Sequence, residues 1–243
     1  MVSSFEEVPA RDRVIVALDC GIDEAFDLAD RLQGKATWMK VGMTLFYANG
    51  PAIVYALKER GFKVFLDLKF HDIPHQVRGA ARSAALAGAD LLSVHGLGSG
   101  AMLAAAREGV EQAAAETGGE RARLVAITVL TSMDERALAE VGITCPIPEE
   151  AARLAGLARA NGIDGIVCSP REAAAMRQLL GEDALIVTPG VRPAGAALGD
   201  QSRVATPAAA IASGASHLVI GRPITGANDA VAAYEAIVGE LSE

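Results

Sequence analysis

The chain has 243 residues, 51% of them hydrophobic and only 4% aromatic, with a formal net charge of −8. That length suits one α/β barrel or two small domains, and the apolar share supplies a sizeable core. The acidic balance argues against a general nucleic-acid surface, which needs clustered Lys and Arg, but leaves room for an anionic small molecule held by a few cations in one cleft.

Along the chain, short apolar runs rich in β-branched residues alternate with Ala-rich stretches of helical length. Strands are predicted at 13–19 ("RVIVALD"), 37–42 ("TWMKVG"), 63–68 ("KVFLDL") and 90–95 ("DLLSVH"). Four more follow at 124–130, 165–168, 184–190 and 217–221. Helices fall between them, among others at 51–60, 75–88 and 100–116, with a last one at 227–241. The strands read as continuous apolar runs, as expected when both faces of a parallel sheet are covered. Gly34, Gly61, Gly88 and Gly162 stand just ahead of strands, where glycine supplies a left-handed helix cap.

Eight strand–helix repeats of about 30 residues predict an α/β chain folded as a single (β/α)8 TIM barrel. The barrel is expected over residues 12–243, with 1–11 as a mobile tail. A doubly wound open sheet would place a Gly-rich nucleotide turn after the first strand, and "ALDCGID" is not one. No run approaches the ~18 apolar residues of a membrane span, and no leader is read at the N-terminus. Cys20, Cys145 and Cys168 form neither a C-x-x-C pair nor a disulfide framework. A soluble cytoplasmic protein with reduced thiols is therefore expected.

In such a barrel the active site lies at the C-terminal strand ends. The polar residues predicted there are Asp19, Lys40, the Asp67, Lys69 and Asp72 of "DLKFHDIP", His95, Thr131 with Ser132, Arg192, and Gly221 with Arg222. Singly, most have bland readings: Asp19 or Ser132 as a helix cap, His95 as a packed, hydrogen-bonded histidine. Exposed ion pairs contribute only ~0–1 kcal/mol, so the convergence on one mouth is what points to a site. In "VIGRPITGA" (219–227), backbone N–H groups and Arg222 are placed to meet an anion. The stretch 190–207, with Arg192 near its start and Gln201 near its far end, has the length of a lid.

The pieces "ALD", "KVG", "DLKFHDIP", "LTSM", "TPGVRP", "DQSRVATP" and "GRPI" occur in that order between residues 16 and 224. In them the chain resembles the orotidine 5'-phosphate decarboxylases. The resemblance implies a homodimeric barrel that converts orotidine 5'-phosphate to UMP and carbon dioxide, the last step of de novo UMP synthesis, without metal or organic cofactor. It implies Lys69 as proton donor, Asp67 as the neighbouring carboxylate, and Asp72 reaching with Ile73 into the partner subunit's active site. Asp19 and Lys40 resemble ribose-hydroxyl and charge-network residues, and Thr131 a pyrimidine-edge contact. Arg192, Gln201, Gly221 and Arg222 resemble the phosphate-binding set. The chain departs from the pattern at His75-Gln76, where family members often carry Asn-Thr.

The chemistry suits these residue types. Loss of carbon dioxide from C6 leaves an in-plane electron pair that the pyrimidine ring cannot spread. An ammonium fixed where that charge develops stabilises it and then donates the proton. Flanking carboxylates keep the ammonium charged, and alternation along the third strand would turn Asp67 and Lys69 to the same side. Metal-dependent sugar-phosphate decarboxylases and hexulose-phosphate synthases of the same wider barrel group share the D-x-K-x-x-D array. They place Glu at the position of Lys40, and a lysine there opposes an oxygen-ligand magnesium site. A non-catalytic phosphate- or nucleotide-binding barrel would need the phosphate set but not the charged array.

Overall fold

The computed structural model describes residues 5–192 and 205–242. Its eight strands are β1 (Val14–Leu18), β2 (Trp38–Gly42), β3 (Lys63–Phe70), β4 (Leu91–His95), β5 (Arg123–Ile127), β6 (Gly165–Val167), β7 (Leu185–Pro189) and β8 (His217–Ile220). They pair in sequence order, all parallel, and β8 closes on β1. The first five helices are α1 (Ile22–Leu32), α2 (Met43–Asn49), α3 (Ala52–Glu59), α4 (Pro74–Leu86) and α5 (Ser99–Thr117). Then come α6 (Glu135–Glu140), α7 (Ile147–Ala160), α8 (Ala173–Leu180), α9 (Pro207–Ala212), α10 (Arg222–Thr225) and α11 (Ala230–Glu240). The barrel is the predicted one. Gly34, Gly61, Gly88 and Gly162 all take positive φ, as helix caps ahead of a strand should.

Strand alternation separates two cores. Val14, Val16 and Leu18 of β1 join the shell between sheet and helices. Ile15 and Ala17 face inward, where Phe65, Leu91, Val125, Val187 and Val219 fill the barrel. The continuous apolar pattern follows from both faces being buried. At roughly 25 cal/mol per Å² of apolar surface, this double burial is the main term holding the scaffold.

The foot of the barrel is locked by one repeated position, the residue just before each even-numbered strand. Thr37 donates to the Asp12 carboxylate. Asp90 and Asp164 accept from the backbone N–H groups of Val64 at 2.7 Å and Leu124 at 2.8 Å. The Ser216 hydroxyl accepts from Ile186 N–H at 2.8 Å. Lys58 and Arg121 neutralise the two aspartates. The expected tail also belongs here. Phe5 of that stretch is buried, and Arg13, at the start of the barrel, donates to the carbonyls of Ala215 and Ser216.

His217 sits in this plug, edge-on to Phe5 and Trp38 at ring-centroid separations of 6.0 and 5.9 Å. Burial, reinforced by Arg13, Arg123 and Lys63, pushes its pKa down to about 3. The unfolded chain therefore takes up this proton first. The contribution to stability is complete above the ordinary imidazole pKa and is lost as the pH falls below it. From this group the unfolding free energy should drop by about 2 kcal/mol between pH 7 and pH 5. Urea unfolding at the two pH values measures it, and a His217→Gln chain should lose most of that difference.

Candidate active site

The site grows from an irregularity in β3. Leu66 pairs with Leu92 and Phe70 with Val94, so Asp67, Leu68 and Lys69 lie opposite the single residue Ser93. Lys69 takes φ 51°, a left-handed conformation shared among the described non-glycine residues only with Ser99. Such a backbone costs about 1–2 kcal/mol, and residues held in this way concentrate at functional sites. Simple strand alternation is thus not what brings Asp67 and Lys69 together. The bulge shifts the register, and the left-handed turn returns the lysine toward the carboxylate.

Charges then alternate across three strand ends. Lys69 Nζ donates to Asp67 Oδ2 at 2.9 Å. Lys40 Nζ lies 3.8 Å from the same oxygen and donates to Asp19 Oδ1 at 2.9 Å. The side chains grade outward: Lys40 and Asp67 are 8% and 14% exposed, Lys69 28% and Asp19 67%. Ser93, fully buried, donates to Asp67 Oδ1 at 2.7 Å and accepts from Lys69 N–H at 2.8 Å. Gly42 leaves room for this chain, because a Cβ there would stand 3.3 Å from both Asp19 Oδ1 and Lys40 Nζ.

A cavity of about 700 Å³ opens above these groups. Asp19, Lys40, Asp67 and Lys69 line one side. Thr131, Arg192, Gly221 and Arg222 complete the predicted set that borders it. Arg192 is buried and donates to its neighbouring Val191 carbonyl at 2.9 Å. Phe65, Ile127, Val167 and Val219 form an apolar floor. Cys20 also reaches the cavity, but burial, with Glu24 and Asp19 adding to it, pushes its thiol up to about 11, so it remains protonated. His95 is the packed histidine expected: its Nδ1 accepts from Leu97 N–H, and it stacks on His71 at 5.0 Å. Burial, then the charges of His71 and Lys69, lower its pKa, which favours the neutral ring.

Two predicted residues lie elsewhere. Asp72 and Ile73 do not border the cavity. The whole run His71–Gln76 is exposed, Ile73 by 62%, and among the described residues Asp72 accepts only from Ile73 N–H, at 2.6 Å. Gln201 lies outside the described residues. Ser132 caps no helix; Asp134 caps α6 instead. Sequence reasoning passed over Ser93 and Gly42. The available signal for Ser93 was a lone hydroxyl in the otherwise apolar "LLSV" two residues before His95.

A sequence profile described as the orotidine 5'-phosphate decarboxylase / HUMPS family matches residues 12–237. The orotidine 5'-phosphate decarboxylase of Halorhodospira halophila is 53% identical over 236 residues, covering 97% of this chain and 98% of its own. That of Moorella thermoacetica is 53% identical over 234 residues, covering 96% and 93%. The crystal structure of orotidine 5'-phosphate decarboxylase from Lactobacillus acidophilus superposes with a TM-score of 0.85 at 38% identity, covering 96% of this chain and all of that one.

The grading of burial predicts unequal costs. Asp67→Ala would leave Lys40 and Lys69 facing one another with no carboxylate between them, and should lower the unfolding free energy by roughly 3 kcal/mol. Asp19→Ala, at the solvent edge, should cost under about 1 kcal/mol. Urea midpoints at constant m-value compare the two.

Proposed function

The chain belongs to the orotidine 5'-phosphate decarboxylase / HUMPS family, and we propose that it converts orotidine 5'-phosphate to UMP and carbon dioxide with Lys69 as proton donor to C6. The observation that carries this reading is the Asp19–Lys40–Asp67–Lys69 chain at a cavity whose other rim holds Arg192, Gly221 and Arg222. The phosphate would bind at that rim, with Gln201 as a further contact from the stretch after β7. Binding energy gained there orients the ring over Lys69, far from the phosphate itself. Asp19 would hold a ribose hydroxyl and Thr131 a pyrimidine edge.

Two features favour the transition state over the substrate. Lys69 is already paired with Asp67, which competes with the substrate carboxylate for its ammonium. As carbon dioxide departs, the pre-placed ammonium meets the growing charge at C6 without reorganising, and then gives up its proton there. No metal or organic cofactor is assigned to this step, since Lys40 and Lys69 supply the positive charge. The metal-dependent rival is disfavoured by Lys40 itself, whose ammonium lies between the carboxylates of Asp19 and Asp67. A cytoplasmic setting fits the three cysteines, none of which is joined in a disulfide among the described residues.

The exposed segment His71–Gln76 supports a homodimer with shared sites, in which Asp72 and Ile73 complete the cavity of the neighbouring protomer.

Turnover is followed by the fall in absorbance as orotidine 5'-phosphate is consumed, with excess chelator present; loss of activity to the chelator would favour the metal-dependent rival. Lys69→Ala should lower kcat by at least about 10³-fold while UMP still binds, because the phosphate contacts remain. Near-normal turnover in that variant would refute the proton-donor role. Mixing Lys69→Ala with Asp72→Ala subunits should restore up to about a quarter of wild-type activity, since half the dimers are mixed and each carries one intact site. Confirmed mixed dimers without activity would count against sharing.

A further inference from the structure

We propose that Ser93 is a positioning residue for this decarboxylation, holding Lys69 and Asp67 in their reactive arrangement through one hydroxyl. The inference rests on the function proposed above and adds a residue to it.

The hydroxyl is fully buried, and both of its hydrogen-bonding roles are spent on the reactive pair. It accepts from the backbone N–H of Lys69 and donates to Oδ1 of Asp67. Oδ2 of that carboxylate is thereby turned toward Lys69 Nζ at 2.9 Å and Lys40 Nζ at 3.8 Å. At Lys69 the bond acts on the backbone. The residue has φ 51° in the middle of a bulge and departs from the ladder where three residues face one. The conformation is unfavourable in itself and persists only where the surroundings impose it. The Ser93 hydroxyl is the acceptor that the displaced N–H finds there.

Without the hydroxyl, the Lys69 N–H loses this buried acceptor and Asp67 Oδ1 loses its donor. The Lys69 backbone is then released toward ordinary extended geometry, which carries its ammonium away from the carboxylate and from C6. Misplacement of a reacting group by about 1 Å costs on the order of 10²-fold in rate. The phosphate rim lies on other strand ends, so substrate affinity should be largely retained.

The test compares Ser93→Ala, Ser93→Thr and Ser93→Val with the wild-type enzyme on orotidine 5'-phosphate. Thr and Val have nearly the same volume and differ by the hydroxyl, so their ratio reads its role even where the added methyl disturbs packing or Ser93→Ala folds poorly. Ser93→Ala should lower kcat about 100-fold with KM changed less than about threefold. Ser93→Thr should recover at least about tenfold over Ser93→Val. Wild-type kcat in Ser93→Ala, or equal kcat in the Thr and Val variants, overturns the positioning role. A wild-type chain that leaves orotidine 5'-phosphate unconsumed refutes the decarboxylase reading instead. The backbone claim is then decided by a crystal structure of Ser93→Ala: a retained positive φ at Lys69 overturns it, and a return to extended geometry supports it.

Discussion

The carboxylate of Asp67 is where the strand ends of one side of the barrel meet. It faces two ammonium groups, from β2 and β3, and a hydroxyl from β4, while being largely removed from water. A carboxylate in that position is costly unless its oxygens are occupied, and two lysines so close are costly unless an anion lies between them. Each charge therefore makes the others tolerable, and the strictly alternating order Asp19, Lys40, Asp67, Lys69 is the arrangement in which every neighbour is opposite in sign. Solvent access rises at the two ends, at Asp19 and Lys69, which are the groups a ligand in the cavity would meet. The deeply buried pair in the middle gives those ends fixed positions.

Stability and reactivity occupy opposite ends of the barrel. At the foot, side chains just before β4, β6 and β8 satisfy strand N–H groups, and the Phe5–Arg13 segment closes the apolar interior beneath His217. Regular register and full apolar burial carry the energetic load there. At the mouth the register breaks, a lysine takes a left-handed backbone, and ionised side chains crowd together. A local arrangement of this kind survives because the rest of the barrel is rigid enough not to relax around it.

The fold was legible because two-sided burial writes continuous apolar runs into the strands and because glycine caps punctuate the helix ends. Strand bounds came within a few residues, with β5 the largest miss: it ends at Ile127 where 130 was expected. The convergence of Asp19, Lys40, Asp67 and Lys69 was legible from strand-end position alone. The bulge was not, because Asp67, Leu68 and Lys69 fit a regular two-residue alternation equally well and only pairing with β4 reveals the extra residues. Ser93 stood out only as a lone hydroxyl in an apolar strand, and its role comes from its cross-strand partners.

One backbone irregularity has two consequences. The bulge and the left-handed turn at Lys69 bring its ammonium back to Asp67. They also end the ladder at Phe70, and the chain leaves the barrel as an exposed run before Pro74 begins α4. Asp72 is carried outward by the same turn that carries Lys69 inward. Within one protomer the Asp67 carboxylate is already engaged by Lys40, Lys69 and Ser93. In the proposed homodimer the further carboxylate beside Lys69 would come from the partner, and the outward run presents Asp72 next to the exposed Ile73, which is suited to anchor it against an apolar surface. In the homodimer proposed above, association of two barrels and completion of the charge array would be a single event, in which the anchor's apolar burial offsets the cost of desolvating one more anion.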